Sequence, residues 1–218
     1  MPVKVNFRRH AEKTKSTKTL TIKGKKDAKI LGQSLPKKPT KFYYDVLRNE
    51  ETARLMQEGL NSKKPYALRQ RNILEGHHSF SGSQKISFLL LSFAKKCGIT
   101  EKKLIKLWLD NKIPRNLIPN PRKVADDIIR DRFKLFLKVN EGLGKKEIVF
   151  ENLTHDVVMS AIIQRLTCLK YTRMFGELPG DLESVTISIS KGGIAKLKFR
   201  EQEFDVTEKL NLILEYKA

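Results

Sequence analysis

The clearest local pattern in the chain is LLLSFAKKCGITEKKLIKLWLDNKIPR, which runs from Leu89 to Arg115. Between residues 86 and 97 the apolar side chains recur at helical spacing, on one face of about three turns. Gly98 stands where a helix can end in a left-handed residue, and Thr100 can cap the helix that follows. The spacing therefore predicts two short helices around a tight turn, with lysines on their exposed positions.

This stretch, residues 86–114, resembles the helix-turn-helix of repressor-like DNA-binding proteins. The resemblance rests on Ala94, Gly98, Ile99, Leu104, Leu107 and Trp108. It implies that the second helix enters a major groove, with contacts from Thr100, Glu101, Lys102, Ile105, Lys106 and Leu109. That set contains no Arg, Asn or Gln for bidentate base contacts. A helical domain with a basic face that grips the phosphate backbone is therefore the alternative.

The charge of the chain is strongly positive and unevenly distributed. The formal net charge is +20 over 218 residues. Residues 1–41 hold 13 Lys and Arg against 2 Asp and Glu, residues 42–150 hold 22 against 12, and residues 151–218 hold 9 against 10. So large a positive excess favours an anionic partner, with nucleic acid as the first candidate and an anionic membrane surface as the second.

Composition divides the chain into three predicted parts. Residues 1–41 are rich in Lys and Thr with few large apolar side chains, which predicts a flexible basic arm. Residues 42–146 are predicted to form a helical basic domain. Residues 147–218 are predicted to form a small α+β unit that associates with itself or with a partner. The fold class is therefore predicted as α+β, mainly helical in the centre and ending in a β-hairpin or meander.

Several segments carry more specific signals. A helix is predicted from Phe42, and another after Asn120, which can cap a helix that begins at Pro121. EIVF (147–150) indicates a short strand, and a helix capped by Thr154 is predicted to follow. The segments SVTISIS and IAKLKF alternate around the turn KGG, which predicts a hairpin, and KLNLILEY is predicted to add another strand.

Lysines and arginines close to the helical pattern form the predicted nucleic-acid-binding site. Such side chains contact phosphates and give affinity without sequence information. The predicted set is Lys63, Lys64, Arg69, Arg71, Lys95, Lys96, Lys102, Lys103, Lys106, Lys112, Arg115, Arg122 and Lys123.

Signatures of catalysis or metal binding are weak. His77 and His78 are adjacent, without the Cys and His spacing of a structural zinc site. The sequence has no Gly-rich phosphate loop and no evident Ser-His-acid signature. These observations predict a protein that is not an enzyme and that needs no metal or cofactor.

The combined prediction is a non-enzymatic protein that binds RNA or DNA through its basic arm and basic helical face. Such a layout fits a nucleocapsid or packaging protein, a phage or plasmid regulator, and a homo-oligomer held by its C-terminal unit. The alternative is a peripheral membrane or viral-matrix scaffold whose arm binds anionic lipid. Cys97 and Cys168 stand in apolar helical stretches and are expected to be buried thiols. With only two cysteines, no signal-peptide pattern and no apolar run of membrane-spanning length, an intracellular location, cytoplasmic or nuclear, is expected.

Overall fold

The structure, a computed structural model, describes residues 3–14, 19–36, 40–44, 47–60, 69–70, 94–116, 119–143 and 149–215. Its elements run in the order β1 (Val3–Arg9), α1 (Ile22–Ser34), β2 (Thr40–Tyr44), α2 (Leu47–Gly59), β3 (Arg69–Gln70), α3 (Glu101–Leu109), α4 (Pro121–Leu143), β4 (Val149–Thr154), α5 (Asp156–Thr167), α6 (Tyr171–Met174), β5 (Ser184–Ile189), β6 (Ala195–Phe199), β7 (Gln202–Asp205) and α7 (Thr207–Glu215).

The strands form one mixed sheet in the order β3-β2-β4-β1-β5-β6-β7. Strands β3, β2, β4 and β1 are parallel to one another, with Val5 of β1 opposite Phe150 of β4. Strand β5 pairs antiparallel with β1, and β6 and β7 continue as an antiparallel meander. Because β1, β2, β3 and β4 run in one direction, their carboxyl ends meet at the same edge of the sheet.

Helices cover both faces of the sheet. On one face, Phe7 of β1 and Phe150 of β4 pack in the main hydrophobic core with apolar residues of α3, α4, α5 and α7. On the other face, Phe42 of β2 and Leu153 of β4 pack with residues of α1 and α2. The architecture is a three-layer α/β sandwich. The predicted fold class, a mainly helical domain followed by a small α+β unit, is therefore wrong.

The N-terminal segment is an internal strand of this sheet, and the prediction of a flexible basic arm is wrong. Strand β1 lies between β4 and β5, and Val5 and Phe7 are fully buried. In β1 a polar residue stands between each apolar residue and the next, which is the alternation typical of a strand. The lysine-rich surroundings of this segment obscured that pattern in the sequence. The division into domains after residues 41 and 146 stays a prediction, although the hydrogen-bonded sheet runs across both boundaries.

Local helix signals were reliable where a cap was present. Thr100 caps α3, accepting from the N–H of Lys103 at 3.2 Å, and Asn120 accepts from the N–H of Arg122 at 2.8 Å at the start of α4. The predicted hairpin is confirmed as β5 and β6. Thr154, in contrast, ends β4 and does not cap α5, whose N-cap is His155.

Three other local predictions were wrong. Phe42 lies in β2, and the helix predicted from it begins at Leu47. The segment predicted as a last strand is the helix α7, because Leu210 and Ile213 need helical spacing to reach the core together. Cys97 and Cys168 are exposed free thiols, although their apolar surroundings in the sequence are typical of buried cysteines.

Candidate functional site

Two histidines meet at the carboxyl edge of the parallel strands. His10 directly follows β1, and His155 directly follows β4, which is the neighbour of β1 in the sheet. Their ring centroids are 5.5 Å apart, and the rings are inclined by 76° in an edge-to-face contact. Two side chains able to hold and transfer protons or to act as nucleophiles therefore lie side by side at one point of the fold.

The position of this histidine pair is the one where open α/β sheets bind ligands. Helix α1 follows β1 and packs on the face that also carries α2, whereas α5 follows β4 and packs in the core of the opposite face. Where the helices after two neighbouring parallel strands leave for opposite faces, a crevice opens beyond the carboxyl ends of the strands. His10 and His155 stand at the two sides of that point.

Local hydrogen bonding fixes the tautomer of His10. The side chain is 3% exposed, and its Nδ1 lies 2.7 Å from the carbonyl oxygen of Ala11. Because a carbonyl oxygen only accepts hydrogen bonds, this contact assigns the ring proton to Nδ1 and the lone pair to Nε2. A neutral imidazole held in this way has the nucleophilic nitrogen at the end of its ring, away from its own backbone.

His155 occupies the N-terminal end of a helix. It is the N-cap residue of α5, and its side chain makes no capping hydrogen bond. The partial positive charge at the first turn of a helix of this length favours a negative group next to it. Asp156, the first residue of α5, accepts from the N–H of Val157 at 2.8 Å.

Arg9 connects the segments that surround the two histidines. Its Nη1 donates to the carbonyl oxygen of Pro179 at 2.7 Å, and its Nε lies 3.3 Å from Oδ1 of Asp181. Its Nη2 lies 3.6 Å from Oδ2 of Asp156. The guanidinium therefore joins the end of β1, the start of α5 and the loop before β5, which are segments next to the two histidines.

Helix α2 supports the same edge of the sheet. Thr52 accepts a hydrogen bond from the N–H of Ala11 at 3.2 Å, and Asn49 donates to the carbonyl oxygen of Leu153 at 3.3 Å. Thr52 and Asn49 are both fully buried. The first turns of α2 thus hold the backbone just after β1 and at the end of β4, where the two histidines begin.

The predicted nucleic-acid-binding residues lie elsewhere. Among the thirteen, Lys63, Lys64 and Arg71 fall outside the described residues, and Arg69 lies in β3. The other nine are exposed on or near α3 and α4, and the structure gives no contact between any of them and either histidine. These nine are Lys95, Lys96, Lys102, Lys103, Lys106, Lys112, Arg115, Arg122 and Lys123. Lys102 lies 3.5 Å from a carboxylate oxygen of Glu177. Nothing in the fold tests these thirteen residues as a binding site, and the assignment stays a prediction.

The residues of the histidine site were missed because each was judged by its neighbours in sequence. His10 stood inside the basic segment taken for an arm, and His155 stood beside the residue taken for a helix cap. A usable signal was present in both places. Each histidine follows a short strand and precedes a helix of the same chain, as ligand-binding residues of α/β sheets do. Recognising it required the N-terminal strand to be identified first.

The described part of the chain also bears on metal binding and on membrane insertion. In the described residues, no three His, Cys, Asp or Glu side chains are arranged to hold a metal ion. His77 and His78 lie outside those residues. Across the same described part of the chain, no helix has both the length and the apolar character needed to cross a membrane.

Comparison with known proteins gives matches at the level of structure alone. No family model matches the sequence, and no curated protein matches it. A phosphoglycerate mutase from Bacillus anthracis superposes with a TM-score of 0.58 at 16% identity, covering 98% of this chain and 97% of the mutase. A mycobacterial glucosyl-3-phosphoglycerate phosphatase gives 0.53 at 12% identity, covering 88% and 92%. A histidine-to-alanine variant of phosphoserine phosphatase from Entamoeba histolytica, in complex with phosphoserine, gives 0.53 at 15% identity, covering 95% and 99%.

These matches overturn the predicted identity of the chain. The helix-turn-helix resemblance is wrong, because α3 is one helix of an α/β fold and Leu109, an implied base contact, is 1% exposed. The predictions of a non-enzymatic protein and of nucleic acid or a membrane as its partner are contradicted, since the neighbours are mutases and phosphatases. The self-association role of residues 147–218 stays a prediction, although this segment also supplies His155 and four of the seven strands of the sheet. The chain has the same α/β fold as these solved mutase and phosphatase structures.

Proposed function

We propose that this protein is an enzyme that takes the phosphoryl group of a phosphate monoester onto His10 and then passes it to water. The observation that carries the proposal is the edge-to-face contact of His10 and His155, 5.5 Å between centroids, at the carboxyl edge of the sheet. The likeness of the fold to phosphatases and a phosphoglycerate mutase supports it. A pair of histidines at the ligand-binding point of such a fold suits phosphoryl transfer through a nitrogen nucleophile.

In the first step, the lone pair on Nε2 of His10 attacks phosphorus. The Nε2–P bond forms while the P–O bond to the ester oxygen breaks, and that oxygen leaves with the bonding electrons and takes up a proton. The hydrogen bond from Nδ1 to Ala11 holds the ring in the tautomer that has its lone pair on Nε2. The same bond stabilises the positive charge that the ring gains when the N–P bond forms.

His155 stabilises the phosphoryl group while it is being transferred. Phosphoryl transfer spreads negative charge over three equatorial oxygens, and enzymes lower its barrier chiefly by positioning and by fixed positive charge. His155 offers a ring N–H next to His10, and the first turn of α5 adds its partial positive charge. Arg9, which is paired with Asp156 and Asp181, holds the chain segments around the two histidines in place.

In the second step, water attacks phosphorus and the N–P bond breaks. The bonding electrons return to Nε2 of His10, the water gives up a proton, and inorganic phosphate leaves. A small phosphorylated metabolite is the proposed class of substrate, since the matched proteins are described as acting on phosphoglycerate, glucosyl-3-phosphoglycerate or phosphoserine. The net charge of +20 favours the approach of any such anion.

A trapping experiment tests the proposal. The protein and its His10→Ala variant are mixed with p-nitrophenyl phosphate, phosphoserine or 3-phosphoglycerate, and free phosphate is followed with time. The native chain is expected to release phosphate and, when quenched with alkali, to carry phosphate on His10 that is stable to base and labile to acid. The Lys191→Ala variant, altered in the exposed turn between β5 and β6, serves as the control. Equal release by the native and His10→Ala proteins would overturn the proposal.

A further inference from the structure

A buried ion pair lies beneath the histidine site, between β1 and β4. The carboxylate of Glu151 in β4 is fully buried. Arg8 in β1 donates to it twice, from Nε at 3.0 Å and from Nη2 at 3.4 Å. Asn6 donates to the same carboxylate at 2.5 Å and in turn accepts from the hydroxyl of Thr186 at 2.7 Å. Strands β4, β1 and β5 are thus joined by side chains as well as by their backbone ladders.

The third nitrogen of the same guanidinium contacts the loop before β5. Nη1 of Arg8 donates to the carbonyl oxygen of Leu182 at 2.8 Å. The N–H of Leu182 points at the carbonyl oxygen of His10, with a long N···O separation of 3.4 Å. Arg8 therefore links β4, the strand that directly precedes His155, to Leu182, whose N–H points at the backbone of His10.

The backbone of Leu182 has a conformation that a leucine rarely adopts. Its φ is +61°, in the left-handed region, where a side chain with a Cβ crowds the following carbonyl. Such a residue persists only where its surroundings determine it, and such residues cluster at functional sites. Here the surroundings are the hydrogen bond from Arg8 on its carbonyl and the packing of its side chain against the core formed with α1 and α2.

We infer that Arg8 is a positioning residue, which sets the backbone of His10 relative to His155 through Leu182. The inference rests on the proposed function, since it assigns Arg8 a part in aligning the proposed nucleophile. A buried ion pair by itself is weak evidence for a role, because apolar or neutral replacements are often as stable. What distinguishes Arg8 is that one planar group satisfies Glu151 and Leu182 together, which a neutral side chain cannot do.

The test separates alignment from stability. Arg8→Met alone leaves the charge of Glu151 buried without its cation and can prevent folding. The double variant R8M/E151Q removes both charges and keeps an amide oxygen for Asn6, so it is expected to fold. We expect its kcat to fall about 100-fold with KM within about 2-fold, since small misplacements of reacting groups have effects of this size. A double variant that folds and has the native kcat would overturn the inference.

A second two-point ion pair, less buried than that of Arg8 and Glu151, provides the control. Arg165 of α5 and Asp126 of α4 also form a two-point contact, at 2.6 and 3.2 Å, and they touch neither histidine in any contact given by the structure. The variant R165M/D126N is expected to keep the native kcat even if its unfolding midpoint falls. If it loses as much kcat as the double variant at Arg8 and Glu151, the effect is a general loss of rigidity and the positioning role is rejected.

A spectroscopic readout keeps this inference apart from the proposed function. The chain has four histidines, so the ring nitrogens can be labelled with ¹⁵N and assigned by NMR with single substitutions. The native His10 is expected to show one tautomer, protonated on Nδ1, and the R8M/E151Q variant a mixture of both. R165M/D126N is expected to match the native spectrum. A failure to hydrolyse any phosphate ester would reject the proposed function alone, whereas an unchanged His10 tautomer in R8M/E151Q would reject the role of Arg8.

Discussion

Glu183 and Arg200 form a two-point ion pair where the loop after α6 enters β5, with Nε to Oε1 at 3.1 Å and Nη2 to Oε2 at 3.2 Å. The same carboxylate accepts from the N–H of Gly180 at 2.7 Å, and the carbonyl of Glu183 accepts from the N–H of Arg9 at 3.0 Å. The pair therefore holds the loop before β5 against the sheet, next to the end of β1.

This ion pair gives the protein an acid-sensitive contribution to stability. Burial alone would raise the pKa of Glu183, but the hydrogen bonds from Arg200 and Gly180 and the charges of Arg200 and Arg9 together lower it below 4.5. A carboxyl with a lowered pKa in the folded state stabilises above its unfolded pKa, and that stabilisation disappears as pH falls through the folded value. The Arg200→Met variant is expected to be less stable than the native protein at about pH 6. The difference in unfolding free energy between the two proteins is expected to shrink as the pH falls to about 3.

Urea unfolding at both pH values measures this effect. Some difference in unfolding free energy between Arg200→Met and the native protein should remain at acidic pH. The reason is that Arg200 also donates to the carbonyl of Phe175 at 3.2 Å and lies over the ring of Phe199. Lys191→Ala changes an exposed charge in the turn at the opposite end of the β5–β6 hairpin, and its difference in unfolding free energy from the native protein is expected not to change with pH. A difference for Arg200→Met that is constant across this range would mean that Glu183 titrates alike in the folded and unfolded chains.

Loss of the His155 ring should slow the chemical step. If this ring donates to the transferring phosphoryl group, His155→Ala removes one transition-state donor, and such removals lower kcat by about 100-fold to 1000-fold. KM should change much less, because the interaction strengthens as charge develops on the transferring oxygens. Steady-state hydrolysis of p-nitrophenyl phosphate measures both constants. A variant with normal kcat and raised KM would instead assign His155 to substrate binding alone.

The contact between α1 and α2 should not tolerate a side chain at Gly32. A Cβ at this residue would overlap the carbonyl oxygen of Met56, and a Cβ at Gly59 would overlap that of Lys29. Gly32→Ala must push the two helices apart, and overpacking of this kind costs about 1–3 kcal/mol of unfolding free energy. Gly192→Ala is the control, since its Cβ would meet only Ser190 at an ordinary 3.9 Å. Equal stability of both variants would show that the helices separate freely.

Tyr171 should ionise later than an ordinary tyrosine. Burial is the chief cause that raises its pKa to about 12, partly opposed by the charge of Arg200, and its hydroxyl donates to the carbonyl of Glu177 at 2.9 Å. Because the pKa is higher in the folded state, the contribution to stability is complete below about pH 10 and is lost as pH rises through about 12. Absorbance at the tyrosinate band should show a late titration near pH 12 that Tyr171→Phe removes. If Tyr171→Phe leaves the titration curve unchanged in shape, the late group is another residue.

The sequence alone supported the local structure much better than the fold. The helices that begin after Thr100 and Asn120 were predicted because their caps are short-range contacts, made within three residues of the capping side chain. The sheet could not be predicted in the same way. Strand β1 is stabilised by partners in β4 and β5, so its own composition, with a lysine, an asparagine and two arginines, is that of a polar tail.

The functional site was invisible for the same reason. His10 and His155 become neighbours only because β1 and β4 pair in parallel, and neither residue is exceptional among its sequence neighbours. The total positive charge was read as the mark of a binding surface. In the structure, four of the arginines pair with carboxylates of the same chain; these are Arg8, Arg9, Arg165 and Arg200. A count of charged residues in the sequence therefore includes groups whose charge is already balanced within the fold.

The order of strands in the sheet has a consequence for how the chain is made. Strand β1 leaves the ribosome well before the two strands that flank it, Val149–Thr154 and Ser184–Ile189. Until they emerge, Val3–Arg9 has no native ladder to join, and pairing over such long separations is slow. The nascent polypeptide therefore carries an open strand edge until both flanking strands have been made, which makes chaperone capture or aggregation a hazard of its biogenesis.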